Sequence, residues 1–194
     1  MGGCLIAGIA GGWFIRGPKT QSAVENAARA KGTAPPRGVA SQGAGPAQLK
    51  EMADASAAPL LERLKTDPHN AEILAGIGNV YYDAQQYPAA VDYYGRALAA
   101  RPSDAAVRTD LGTAYWYMGE ADSAIEEFNK ALSFAPTNAN TLFNRGLVKW
   151  KGKGDTAGAL ADWEKLLASN PDYQERDKVK EMMADVKARV AGKP

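Results

Sequence analysis

Cysteine and histidine are almost absent, with one of each, Cys4 and His69, in 194 residues. A single cysteine excludes an intrachain disulfide. Two possible ligands also fall short of the roughly four that a Cys/His zinc site needs. A nucleophile pair would have to join Cys4, inside an apolar N-terminal run, to His69, in a turn after Pro68, and His69 reads as an exposed loop residue. Charge of one sign is missing too. Lys and Arg number 23 against 22 Asp and Glu, for a net charge of +1, so no field points to nucleic acid. No apolar run reaches the roughly 20 residues of a full membrane span. Phosphate-binding loops are missing as well: GKGD at 152–155 has no GxxxxGK[ST] frame, and GIGN at 76–79 falls inside a helical pattern. No carboxylate pair stands out from solvated helix faces. These absences argue against an enzyme, a metal site, a bound cofactor and a small-molecule substrate.

What is present is segmented. Residues 1–15, MGGCLIAGIAGGWFI, carry no charged side chain, and Arg16 and Lys19 follow. A signal peptide is disfavoured because the run has no basic start and no A-x-A site. Ile6 stands where a myristoylation motif has Ser or Thr. We therefore expect residues 1–16 to be a membrane anchor. Residues 17–46 are rich in Gly, Ala, Pro and Ser and hold almost no bulky apolar side chain, which predicts a flexible tether. Some 30 residues of this kind span roughly 30 Å. Over 47–67, Leu49, Met52, Ala53, Leu60, Leu61 and Leu64 keep near-helical spacing. Pro59 predicts a kink there, or a second helix beginning at Pro59.

The rest of the chain repeats. Pro68, Pro102, Pro136 and Pro171 are 34, 34 and 35 residues apart, within the turn phrases DPHN, RPSD, APTN and NPDY. Between them small and large residues recur in register: Leu74, Ile77, Gly78, Tyr81, Ala90, Tyr94 and Ala97; then Leu111, Gly112, Tyr115, Ala124, Phe128 and Ala131. The third unit keeps Leu142, Gly146, Ala159, Trp163 and Leu166 after a one-residue insertion near GKGD. Arg108, Arg145 and Lys149 depart from the pattern where apolar residues are expected. Small residues at fixed positions let two helices approach, large ones fill the space between helical pairs, and each proline ends a helix. A single hairpin cannot bury its apolar face, so neighbours must stack. Over 173–191, Val179, Met182, Met183, Val186 and Val190 form one stripe, which predicts a helix capping the stack.

A period of 34 with these residues resembles the tetratricopeptide repeat (TPR) family. The resemblance covers residues 68–172 and implies an all-α solenoid of three helical hairpins, flanked by the leading helix or helices at 47–67 and the cap at 173–191. Six antiparallel helices should fill 70–170, with breaks near Pro102 and Pro136. In proteins of this kind, positions two, five, nine and twelve of each repeat face a concave, peptide-binding groove. Carried over, these are Glu72, Ala75, Asn79 and Tyr82; Ala106, Thr109, Thr113 and Trp116; and Asn140, Phe143, Leu147 and Trp150, with Tyr117 beside Trp116. Ala75 and Asn140 occupy positions where a clamp for acidic C-terminal tails would need cations. Trp116, Tyr117, Phe143, Leu147 and Trp150 would instead form an apolar patch suited to a helix or extended peptide. Phe143 and Leu147 have a second reading, as packing for the cap helix.

Within the family, LLERLKTDPHNAE (60–72) and GDTAGALADWEKLLASNPD (154–172) look like the membrane-tethered subunit of bacterial cytochrome c maturation and nitrite-reductase haem lyase systems. That resemblance implies a periplasmic domain presenting an apocytochrome c, with the membrane held by the N-terminal segment. The alternative is a general scaffold of an envelope or secretion complex. Arg16, Lys19, Arg29, Lys31 and Arg37 follow the apolar run, and by the positive-inside rule they would put the repeats in the cytoplasm. The family resemblance puts them outside, and the extracytoplasmic side is the expectation carried forward.

Overall fold

A computed structural model describes residues 45–192. Eight helices lie among them and no strand: α1 (Pro46–Thr66), α2 (Ala71–Asp83), α3 (Tyr87–Ala100), α4 (Ala105–Tyr117), α5 (Ala121–Phe134), α6 (Ala139–Lys153), α7 (Thr156–Ser169) and α8 (Arg176–Ala191). The prolyl turn phrases explain where the first helices start. Two residues after Pro68, Pro102 and Pro136 come Asn70, Asp104 and Asn138. Each has extended backbone and accepts hydrogen bonds through its side chain from the first turn of α2, α4 or α6. Asn70 Oδ1 takes the amides of Glu72 and Ile73 at 3.1 and 3.0 Å, so donors that the helix leaves orphaned are satisfied.

Each hairpin closes where a glycine faces a ring. A methyl group at Gly78 would lie 2.7 Å from the Tyr94 ring, and one at Gly112 would lie 2.8 Å from Phe128. Gly146 is likewise pressed against the Trp163 indole. The pairs α2–α3, α4–α5 and α6–α7 form this way, and α3 then packs on α4 and α5 on α6. The turns between paired helices pass through the left-handed region at Gln85, Gly119 and Gly154. The insertion near GKGD does not bulge the turn. It lengthens α6 to 15 residues, where α2 and α4 have 13.

Pro59 does not start a second helix. It sits inside a single helix, α1. Pro59 and Ala55, whose carbonyl loses its donor, both lie on the exposed face, where water can replace the missing bond. The opposite face buries Ala53, Ala57 and Leu64 against α2. At the other end, α8 buries Val179, Met182, Met183 and Val186, while Val190 stays exposed.

The membrane-anchored location requires correction. Among the described residues no helix is long and apolar enough to cross a membrane. The stretch read as an anchor, 1–16, and nearly all of the tether at 17–46 lie outside the described residues. Membrane anchoring is therefore not carried further.

Candidate functional site: the inner face of the first helices

The first helices of the second and third hairpins meet directly. The hydroxyls of Thr109 on α4 and Thr141 on α6 are 2.7 Å apart, and Asn144 Nδ2 donates to Thr113 Oγ1 at 3.3 Å. Successive return helices, by contrast, are separated by the first helix of the next hairpin. At this junction the stack is closest on the first-helix side, the side that the repeat pattern expects to be concave.

The expected groove residues divide into two sets. Thr109, Thr113, Phe143 and Leu147 are 3–5% exposed. The threonines belong to the seam between α4 and α6, where their hydroxyls also return to the backbone carbonyls of Ala105 and Thr109. Phe143 and Leu147 belong to one buried apolar cluster with Trp163 and the α8 residues Val179, Met182, Met183 and Val186. These four side chains are enclosed in this arrangement, so the open part of the inner face lies with the other expected residues. Asn79, Tyr82, Trp116, Tyr117, Asn140 and Trp150 stay half-buried. Asn79 accepts the Tyr94 hydroxyl at 2.9 Å, so it fixes the hairpin as well as facing the groove.

The half-buried aromatics gather at the end of the first helices nearest the hairpin turns. Tyr82 meets both Tyr87 and Tyr117 edge-on, at 5.6 and 6.0 Å, and Tyr87 stacks on Tyr117 at 4.9 Å. Burial pushes the pKa of both the Tyr87 and the Tyr117 phenol upward, so both stay neutral. The Trp116 indole lies between Ala121 and Gly152, where a methyl on Gly152 would strike the ring at 2.6 Å. Trp150 meets Trp163 edge-on at 6.0 Å and carries the Lys151 ammonium 3.5 Å from its ring centre. Tyr87 was missed because it sits at the start of α3, outside the inward positions of the first helices. The phase of a tyrosine beside a turn is the one signal that points to it.

The three departures from the repeat pattern find acidic partners on the return helices. Arg108 Nη1 donates to Glu127 at 2.8 Å, and its Nε and Nη2 reach the Pro102 carbonyl. Arg145 grips Asp162 through Nε and Nη2 at 2.9 and 2.5 Å, and Lys149 adds a contact at 3.0 Å. Glu127 and Asp162 hold the same place in their repeats once the insertion is counted. Among the described residues no group of three or more His, Cys, Asp or Glu could hold a metal ion.

Comparison with known families bears on the first two hairpins. Residues 53–105 and 75–139 match the family profile described as tetratricopeptide repeat. The first two hairpins thus match the tetratricopeptide-repeat profile, and the described residues as a whole form a TPR-like helical solenoid. A search of curated proteins finds no match. Among solved structures, the first TPR domain of Spaghetti (RPAP3) bound to the HSP90 peptide SRMEEVD superposes with a TM-score of 0.58 at 21% identity. The match covers 63% of this chain and 94% of that one. MamA superposes with a TM-score of 0.61 at 22% identity, over 72% of this chain and 75% of that one. The Yersinia enterocolitica type III secretion translocator chaperone SycD gives 0.59 at 18% identity, over 62% and 85%. At these identities the likeness is one of TPR fold. The narrower resemblance to the cytochrome c maturation subunit finds no support in these matches.

Proposed function

We propose that this chain is a TPR protein-interaction module that holds an apolar or amphipathic peptide segment of a client on its concave face. The observation that carries this reading is the set of half-buried aromatics, Tyr82, Trp116, Tyr117 and Trp150, on the inner first helices. Large amphipathic rings supply the dominant contacts in most protein interfaces. The TPR neighbour RPAP3 is bound to the acidic peptide SRMEEVD, which supports peptide binding by this fold. Here the chemistry differs, because Ala75 and Asn140 leave no multivalent cationic grip for a chain-end carboxylate.

The test is calorimetry with three probes: a peptide selected from a helical library, the C-terminal helix of an apocytochrome c, and SRMEEVD. The apocytochrome arm examines the specific client that the sequence resemblance implies. An apolar helical probe should bind at least about tenfold tighter than SRMEEVD and depend weakly on salt. Trp150→Ala should weaken it roughly 30-fold. Binding that collapses with salt, or is indifferent to Trp116→Ala and Trp150→Ala in folded protein, would overturn the proposal.

A further inference from the structure

The fourth prolyl turn differs from the other three. Asn70, Asp104 and Asn138 cap the helices that follow their prolines, but the phrase NPDY puts Tyr173 at the equivalent place. The helix after it, α8, has Glu175 at its N-cap, and that side chain makes no capping bond. The Tyr173 hydroxyl is buried without a hydrogen-bond partner, and burial pushes its pKa up to about 12. Helix α8 also lies against α7 much more loosely than α4 lies against α3 or α6 against α5. It covers the third repeat through Val179, Met182, Met183 and Val186, a stripe at spacings i, i+3, i+4 and i+7. Phe143 and Leu147, two of the inward residues of that repeat, are buried in the same apolar cluster as this stripe.

We infer that α8 is a displaceable occupant of a helix-binding surface, and that the client competes with it for the wall formed by Phe143 and Leu147. This inference rests on the peptide-binding reading above and extends the groove into the third repeat. The partner it fits is an amphipathic helix with apolar residues at the spacing α8 itself uses, because a helix of that pattern already occupies the wall. An uncapped terminal helix with one orphaned hydroxyl belongs to the low-stability end of a solenoid, where local opening costs least. Met182 and Met183 suit the role, since unbranched thioethers adapt to more than one partner surface. Opening would expose the third-repeat wall beside Trp150 and leave the packing of α2 to α5 untouched.

The experiment uses the full chain and a fluorescein-labelled peptide of residues 174–192 as the probe. Lys187 Nζ and Glu164 Oε1 lie 3.2 Å apart across the two last helices. Glu164→Cys and Lys187→Cys, with Cys4→Ser, can therefore be joined by a bismaleimide that holds α8 shut. The linked protein should bind the probe at least about tenfold more weakly than the same protein unlinked. Met182→Ser with Met183→Ser, which loosens α8 without touching the wall, should bind it about tenfold tighter than wild type. In wild type, α8 amides should exchange at least about tenfold faster than those of α4 and α6. Equal affinity in the linked and unlinked forms overturns displacement. If in addition Trp150→Ala abolishes binding, the groove reading stands alone. If linking blocks binding while Trp116→Ala and Trp150→Ala bind normally, displacement stands and the aromatic groove does not.

Discussion

Gly112 lies against Phe128 and the Ala124 carbonyl so closely that a methyl group would sit 2.8 and 3.0 Å from them. Both neighbours are fully buried, so neither can move aside. Gly112→Leu should therefore destabilise the chain by roughly 1–3 kcal/mol, read from the thermal midpoint. An unchanged midpoint would mean that α4 and α5 have room to part. This residue was legible in the sequence because glycine and ring recur together in all three repeats. Arg145 and Lys149 were not legible in the same way. They read as breaks in the pattern, because the partner that makes them compatible with burial, Asp162, lies 17 and 13 residues downstream on another helix. Asp162 is 4% exposed and meets both cations. Asp162→Ala should cost about 3 kcal/mol, since two partly buried cations lose their counter-charge. The exposed pair Lys65–Glu62 offers the control, for which removal should change little. Equal effects in the two melts would contradict the ionic role.

Helix starts and stops were legible for a local reason. A proline followed two residues later by Asn or Asp encodes both the break and the cap, so the boundaries of α2, α4 and α6 follow from their turn phrases. Asn138→Ala removes the side-chain acceptor of the Thr141 amide and hydroxyl and should cost about 1 kcal/mol, measurable by urea denaturation. A midpoint within error of wild type would show that the cap contributes nothing. The course of α1 through Pro59 was not legible. It depends on which face of the helix turns to water, and only the packing of Ala53 and Ala57 against α2 decides that. The same packing brings Tyr81 to Asp54, with the hydroxyl donating at 2.9 Å. Burial, then that bond to a carboxylate, pushes the Tyr81 pKa up from 10.0 to about 12. Because the folded value is raised, the contribution is complete below pH 10 and is lost as pH rises from 10 towards 12. Stability of the first hairpin should fall across that window in wild type and fall less in Tyr81→Phe. Parallel pH profiles for the two proteins would refute it.

At the scale of the whole molecule, the repeat period made the solenoid visible before any coordinate, because each hairpin needs a neighbour to cover its apolar face. The site was only partly visible. Inward positions can be counted along a repeat, but whether an inward side chain is open depends on what the next hairpin, or α8, lays over it. Phe143 and Leu147 are inward and covered, and Trp150, one turn further along α6, is half-buried. The contact of Thr109 with Thr141 between first helices is likewise a property of the stack. The account stands on the claim that a client lies along this inner face. It is tested most directly by following the indole N–H signals of Trp116 and Trp150 in a heteronuclear NMR titration with a helical client peptide. Both signals should shift and saturate together with the Tyr82 and Tyr117 ring signals, while Tyr93 and Arg96 on the return helix α3 stay unmoved. Saturating shifts confined to Tyr93, Arg96 and their neighbours, with the two indoles unchanged, would place binding on the outer face and contradict the account.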